Sequence, residues 1–117
     1  MELQCHCGNI HITTDHTPEI LTTCNCSICN RYGSKWGYFK PSEVNVKATG
    51  GELKPYVWGD KMIKFMHCTN CGCLTHYEGT DPNSDRVAVN FRMTDHKAIA
   101  DIPERHFDGA DSWEFIE

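Results

Sequence analysis

No stretch of this sequence approaches the roughly 20 consecutive apolar residues of a membrane-spanning helix, so no membrane association is expected. Basic charge is also scarce. Eleven Lys and Arg stand against sixteen Asp and Glu, for a formal charge of −5. Nucleic-acid binders use a basic surface to neutralise phosphates, so that class is not expected either. The start, Met1-Glu2-Leu3-Gln4, has neither the basic nor the apolar region of a signal peptide, and the expected compartment is the cytoplasm. Thiols are kept reduced there, so paired cysteines read as metal ligands before they read as disulfides. Low-complexity tracts, internal repeats and linkers are missing as well. With 117 residues, the expectation is one domain over 1–117. A core of that size is marginal and calls for a staple.

Helical periodicity is rare. Only Ser27 to Tyr32 and Thr94 to Ala100 offer a turn of helix each. Short runs rich in β-branched and aromatic residues dominate instead. From Gly8 to Thr14, Ile10 and Ile12 fall on one face, with His11 and Thr13 on the other. Strands are also expected at Ile20 to Thr23, Trp36 to Phe39, Val44 to Val46, Pro55 to Trp58 and Met62 to His67. Leu74 to Tyr77, Val87 to Met93 and Trp113 to Phe115 complete the set. Turns at Thr49 to Glu52, Trp58 to Lys61, Asp81 to Ser84 and Phe107 to Gly109 separate them. Period-two patterning with frequent turns predicts an all-β (mainly β) domain.

What the chain has in excess is cysteine, eight in all. Cys5 and Cys7 precede Gly8. Cys24, Cys26 and Cys29 form a second group. Cys68 and Cys71 precede Gly72, with Cys73 just beyond. Two residues between Cys68 and Cys71 let both sulfurs face one metal, and Gly72 permits the tight turn. That pair needs two more ligands, and Cys5 with Cys7 is the natural complement. The four make a closed sulfur site suited to structural Zn2+. Such a site contributes on the order of 10 kcal/mol to folding, which answers the small core. Cys24, Cys26 and Cys29 instead offer three ligands from one loop, the pattern of a catalytic zinc with an open position. Cys73, His67 or His76 could close that position, and the three could also be an unmetallated or redox trio.

The order Cys-x-Cys-Gly, Cys-x-Cys-Ser-x-Cys and Cys-x-x-Cys-Gly resembles the glutathione-dependent formaldehyde-activating enzyme (GFA) family, grouped with centromere protein V. Val89-Asn90-Phe91-Arg92 resembles the family's late strand. His106-Phe107-Asp108-Gly109-Ala110-Asp111 resembles its tail. The resemblance implies a β-tent fold of small antiparallel sheets with very little helix. It implies a structural zinc on Cys5, Cys7, Cys68 and Cys71, and a second, catalytic zinc on Cys24, Cys26 and Cys29. It also implies a carbon–sulfur lyase-type activity that condenses formaldehyde with glutathione to S-(hydroxymethyl)glutathione. Any one cysteine pair is a weak signal, whereas all three groups in this order are specific.

Glutathione carries two carboxylates, so Arg31, Lys35 and Arg92 are candidate contacts. Asn25 and Ser27 could orient the sulfurs, and Trp36, Tyr38 and Tyr56 could line a pocket. Against these stand ordinary roles as solvated charges, turn residues and core aromatics. Two rival functions are weighed. A non-catalytic zinc-binding module for protein interaction would keep both metals without chemistry, and a chromatin-binding one would need a basic surface. Seven thiolates and two Zn2+ would instead take the formal charge to about −8. A methionine sulfoxide reductase needs a late nucleophilic cysteine, and none follows Cys73.

Overall fold

The computed structural model describes residues 1–116. Eleven strands and one α-helix follow in order: β1 (Glu2–Gln4), β2 (Ile10–Thr14), β3 (Leu21–Cys24), α1 (Ser27–Tyr32), β4 (Trp36–Phe39), β5 (Val44–Ala48), β6 (Leu53–Val57), β7 (Ile63–Cys68), β8 (Leu74–Gly79), β9 (Val87–Asn90), β10 (Glu104–Phe107) and β11 (Phe115–Ile116). Single turns of 3-10 helix lie at Pro41–Glu43 and His96–Ile99. The all-β reading is borne out. No helix among the described residues is long and apolar enough to cross a membrane.

The strands form a three-stranded sheet, β1-β2-β5, and an eight-stranded sheet, β11-β10-β3-β4-β9-β8-β7-β6. The second sheet is the wider of the two. It also holds one parallel pair, with β10 alongside β3. In β2, Ile10, Ile12 and Thr14 are buried while His11 and Thr13 face solvent, as alternation requires. Ile10, Ile12, Leu21, Val89 and Phe91 pack into one core cluster. A second cluster gathers Cys29, Trp36, Phe65, Leu74, Tyr77 and Ala88. Its Trp36 and Tyr77 rings meet edge-on at 4.9 Å.

β1 and β10 form where the pattern predicts no strand, and β9 is shorter than its pattern predicts. β1 holds one apolar residue, Leu3, too few for a pattern. β10 begins with Glu104 and Arg105 and owes its extended form to backbone pairing with β3. The strand expected over Val87 to Met93 stops at Asn90. There the Asn90 Oδ1 accepts from the Arg92 amide at 3.1 Å, and its Nδ2 donates to the Leu74 carbonyl at 2.9 Å. The chain therefore turns instead of continuing.

Candidate metal and thiol sites

The first cysteine group is assembled from two knuckles far apart in sequence. One lies between β1 and β2, the other between β7 and β8. Gly8 and Gly72 both sit at φ +79°. In each knuckle the glycine amide donates back to the first cysteine's carbonyl, Gly8 to Cys5 at 3.0 Å and Gly72 to Cys68 at 2.9 Å. The four sulfurs of Cys5, Cys7, Cys68 and Cys71 fall within 4.8 Å of one another. Cys7 Sγ lies 3.6 Å from both Cys5 Sγ and Cys68 Sγ.

Fixed donors surround these sulfurs. The Ile10 amide donates to Cys5 Sγ at 3.2 Å, and Asn9 Nδ2 to Cys68 Sγ at 3.8 Å. Asn9 is itself buried and is also held by the Gly50 amide. Burial pushes the Cys5 thiol up to about 11. Burial also works against Cys71, but the amides of Cys7 and Cys73 outweigh it and bring that thiol down to about 5. The Cys71 amide, ahead of other donors, lowers Cys68. Four sulfurs, two of them favoured as thiolates, fit the donor set of a Zn2+ ion. Cys73 adjoins this group: its sulfur interacts with the His6 amide and with Cys71.

The second group sits where β3 runs into α1. Cys24 ends the strand, Cys26 caps the helix and Cys29 lies in its first turns. The three sulfurs lie within 4.8 Å of one another. Among the described residues, no fourth His, Cys, Asp or Glu ligand joins them. His76 is engaged by Thr75 at 2.8 Å and Glu78 at 3.4 Å, and His67 by the Tyr32 hydroxyl at 3.0 Å. Burial raises the Cys24 and Cys29 thiols. Burial opposes Cys26 too, yet the Cys29 and Ile28 amides and the neighbouring thiols leave it below its ordinary value. Three clustered sulfurs that open onto a cleft also fit a Zn2+ ion with protein ligands on one side only.

The C-terminal segment closes over this group, which the sequence did not reveal. β10 lies beside β3, and the chain then turns across the cysteines. Asn25 Nδ2 donates to Asp108 Oδ1 at 3.0 Å, and the Ala110 amide donates to Asn25 Oδ1 at 3.0 Å. Asp108 also accepts from the Ser112 amide and hydroxyl, at 3.1 and 2.9 Å. With Asn25 as the main cause, these donors hold its carboxyl below the usual range. Gly109 lies against Cys24, and its amide interacts with that sulfur. The sequence marks His106 to Asp111 as a family-like tail and Asp108-Gly109 as a turn, and neither signal names what the segment covers.

One cleft borders the triad and a second borders the four-cysteine group. The one at the triad, of about 250 Å3, is lined by Cys24, Cys29, Ser34, Arg92 and His106. The other, of about 670 Å3, lies beside the first group and is lined by Cys5, His6, Cys73, Arg31 and Arg92. Arg92 borders both, with its Nε donating to the Gly33 carbonyl at 2.7 Å. Lys35 is instead paired with Glu104 at 2.6 Å. Ser27 gives its carbonyl to Arg31 at 2.7 Å. Trp36 is core, while Tyr38 lies under the Arg86 guanidinium, 4.6 Å from the ring centre. Tyr56 is exposed on β6, away from the triad clefts and bordering a separate one with His67 and Cys68.

A family model described as glutathione-dependent formaldehyde-activating enzyme matches residues 1–107. The matched region contains every cysteine and ends just before Asp108. A crystal structure of a Rhodobacter sphaeroides protein is similar, with 25% sequence identity and a TM-score of 0.72. The likeness covers 89% of this chain and 99% of that one. No curated protein matches.

Proposed function

Because the chain belongs to the glutathione-dependent formaldehyde-activating enzyme family, we propose that it joins a small thiol, glutathione, to formaldehyde. The thiol sulfur bonds to the aldehyde carbon, the carbonyl π bond opens, and the thiol proton ends on the oxygen. The product is S-(hydroxymethyl)glutathione, and the reverse reaction is a carbon–sulfur lyase step. One observation carries the reading: three sulfurs, Cys24, Cys26 and Cys29, converge beside a cleft with no fourth protein ligand among the described residues. Zn2+ bound there would supply the positive charge that keeps a substrate thiol ionised near neutral pH.

The chain's own residues divide the work. Cys24, Cys26 and Cys29 present the open triad. Cys5, Cys7, Cys68 and Cys71 hold a structural Zn2+ that ties the β1–β2 turn to the β7–β8 turn. Among the described residues, neither Arg31 nor Arg92 is ion-paired. Both line the larger cleft, where Asp95 is the one acidic lining residue, and Arg92 also borders the cleft at the triad. Two unpaired guanidiniums on a chain of charge −5 suit the carboxylates of glutathione.

Cys26→Ser tests the reading. Zinc per chain, measured by elemental analysis, should fall from two to one while the circular dichroism spectrum is kept. Formation of the adduct, followed by NMR with 13C-formaldehyde, should fall to the uncatalysed rate. Adduct formation at the wild-type rate would sink the proposal.

A further inference from the structure

Trp36 is almost fully buried, 1% exposed, and its Nε1 makes no hydrogen bond to any described atom. A buried N–H left unmade costs about 1–3 kcal/mol, and native interiors carry few of them. Trp36 packs in the same cluster as Cys29, and the indole N–H acts on the Cys29 sulfur, countering part of the effect of burial there. A neutral thiol is a poor acceptor. A thiolate accepts strongly, because charge assistance shortens and roughly doubles such bonds. A sulfur that holds a metal ion is such an acceptor, and the unpartnered indole N–H lies in the same buried cluster as Cys29.

The other two sulfurs have backbone donors. The Cys26 amide reaches Cys24 Sγ at 3.5 Å, with the Gly109 amide on the same sulfur. Cys26 is served by the amides of Ile28 and Cys29. Cys29, the deepest of the three, draws its donor from a side chain, the indole of β4. A tryptophan at this place also anchors the sulfur to the core, since its ring packs edge-on against Tyr77 and near Phe65.

We propose that Trp36 is a positioning residue of the thiol triad: its Nε1–H donates to the Cys29 thiolate and fixes where that sulfur stands when metal is bound. The inference rests on reading Cys24, Cys26 and Cys29 as a metal site. It concerns the metal-loaded protein and is not limited to its activity.

The test uses the whole chain, labelled with 15N-tryptophan and loaded with 113Cd2+ in place of zinc. Three indole N–H signals are expected, from Trp36, Trp58 and Trp113. On loading, the Trp36 proton should move downfield and gain a splitting to 113Cd through the hydrogen bond. Trp58 and Trp113 are exposed and should stay where they are. Trp36→Phe keeps an aromatic ring and removes the N–H. It should weaken zinc at the triad about tenfold in chelator competition, the usual effect of losing an outer-shell partner. Two bound cadmium ions with an unmoved Trp36 proton would overturn this inference alone. One bound cadmium ion would overturn the metal reading of the triad and this inference with it. Should Trp36→Phe fail to fold, the wild-type spectrum decides.

Discussion

Replacing Gly109 with alanine should lever the C-terminal segment off the thiol triad. A Cβ at this position would stand 2.7 Å from Cys24 Sγ and 3.2 Å from Cys26 Cβ. Comfortable contact needs about 3.5–4.0 Å, so the methyl sits about 1 Å too deep. Cys26 Cβ cannot swing aside, and Cys24 Sγ is held by the Cys26 amide at 3.5 Å. The segment must give way instead. Displacing it strains the two hydrogen bonds between Asn25 and the Asp108–Ala110 turn, both 3.0 Å. Overpacking of this kind costs about 1–3 kcal/mol, which for a domain of this size lowers Tm by roughly 4–12 °C. Differential scanning calorimetry of the zinc-loaded protein measures the loss. Alkylation of Cys24 in metal-free protein, read by mass spectrometry, measures the uncovering and should quicken. Asn25→Ala separates the two effects: it removes the clasp without adding bulk, so labelling should quicken for a loss of only about 1 kcal/mol. If Gly109→Ala keeps both the wild-type Tm and the wild-type Cys24 labelling rate, the segment does not seat on the triad.

Glu78 should set part of the acid sensitivity. Its hydrogen bond to His76, then its bond to Lys64 at 3.1 Å, bring its carboxyl down to about 2. A depressed carboxyl stabilises the fold above its unfolded value near 4.5, and that contribution disappears as pH falls toward about 2. Glu78→Gln should therefore be less stable than wild type near neutrality and match it in strong acid, by urea denaturation at stepped pH. A gap that stays constant across the range would refute the assignment. Gly72→Ala meets no atom within 4 Å, yet places a side chain at φ +79°, for about 1–2 kcal/mol. Gly59→Ala, at φ +63° on the β6–β7 turn, should cost about the same. Chelator titration distinguishes them, since only Gly72→Ala should weaken the four-cysteine site; equal metal retention would refute a role for the knuckle.

The cysteine partition was legible because ligand spacing is local. Cys5 with Cys7, and Cys68 with Cys71, each carry their own turn glycine, and both turns take the same left-handed conformation. The α1 boundaries and β4 were also legible, since their signals are short-range: a turn of helix after Cys26, then a β-rich run ended by Lys40-Pro41. The clasp was not legible. Asn25 and Asp108 are 83 positions apart, and nothing in an Asp-Gly turn says what it covers. β10 was hidden because its pairing uses backbone groups beside β3 while its side chains are half charged. Basic candidates could be named but not sorted. Only the three-dimensional arrangement separates Lys35, consumed by Glu104, from Arg92, which borders both clefts.

The two cysteine groups differ in what crosses their open side, and that difference bears on the chemistry proposed. At the first group each knuckle faces the other, so two cysteines from β1–β2 meet two from β7–β8. At the second group the facing segment brings Gly109, whose contribution at Cys24 is an amide N–H. An N–H donor can steady a thiolate but cannot ligate a cation. Asp108 is the nearest acidic residue along that segment, and its oxygens are taken by Asn25 and Ser112. The chain thus passes a donor across the triad while withholding a fourth ligand. A residue at 109 with a liganding side chain would lack room, given the 2.7 Å approach to Cys24. The open side that thiol capture requires is therefore kept by one glycine and one internally satisfied aspartate, both beyond the matched family region, which ends at Phe107.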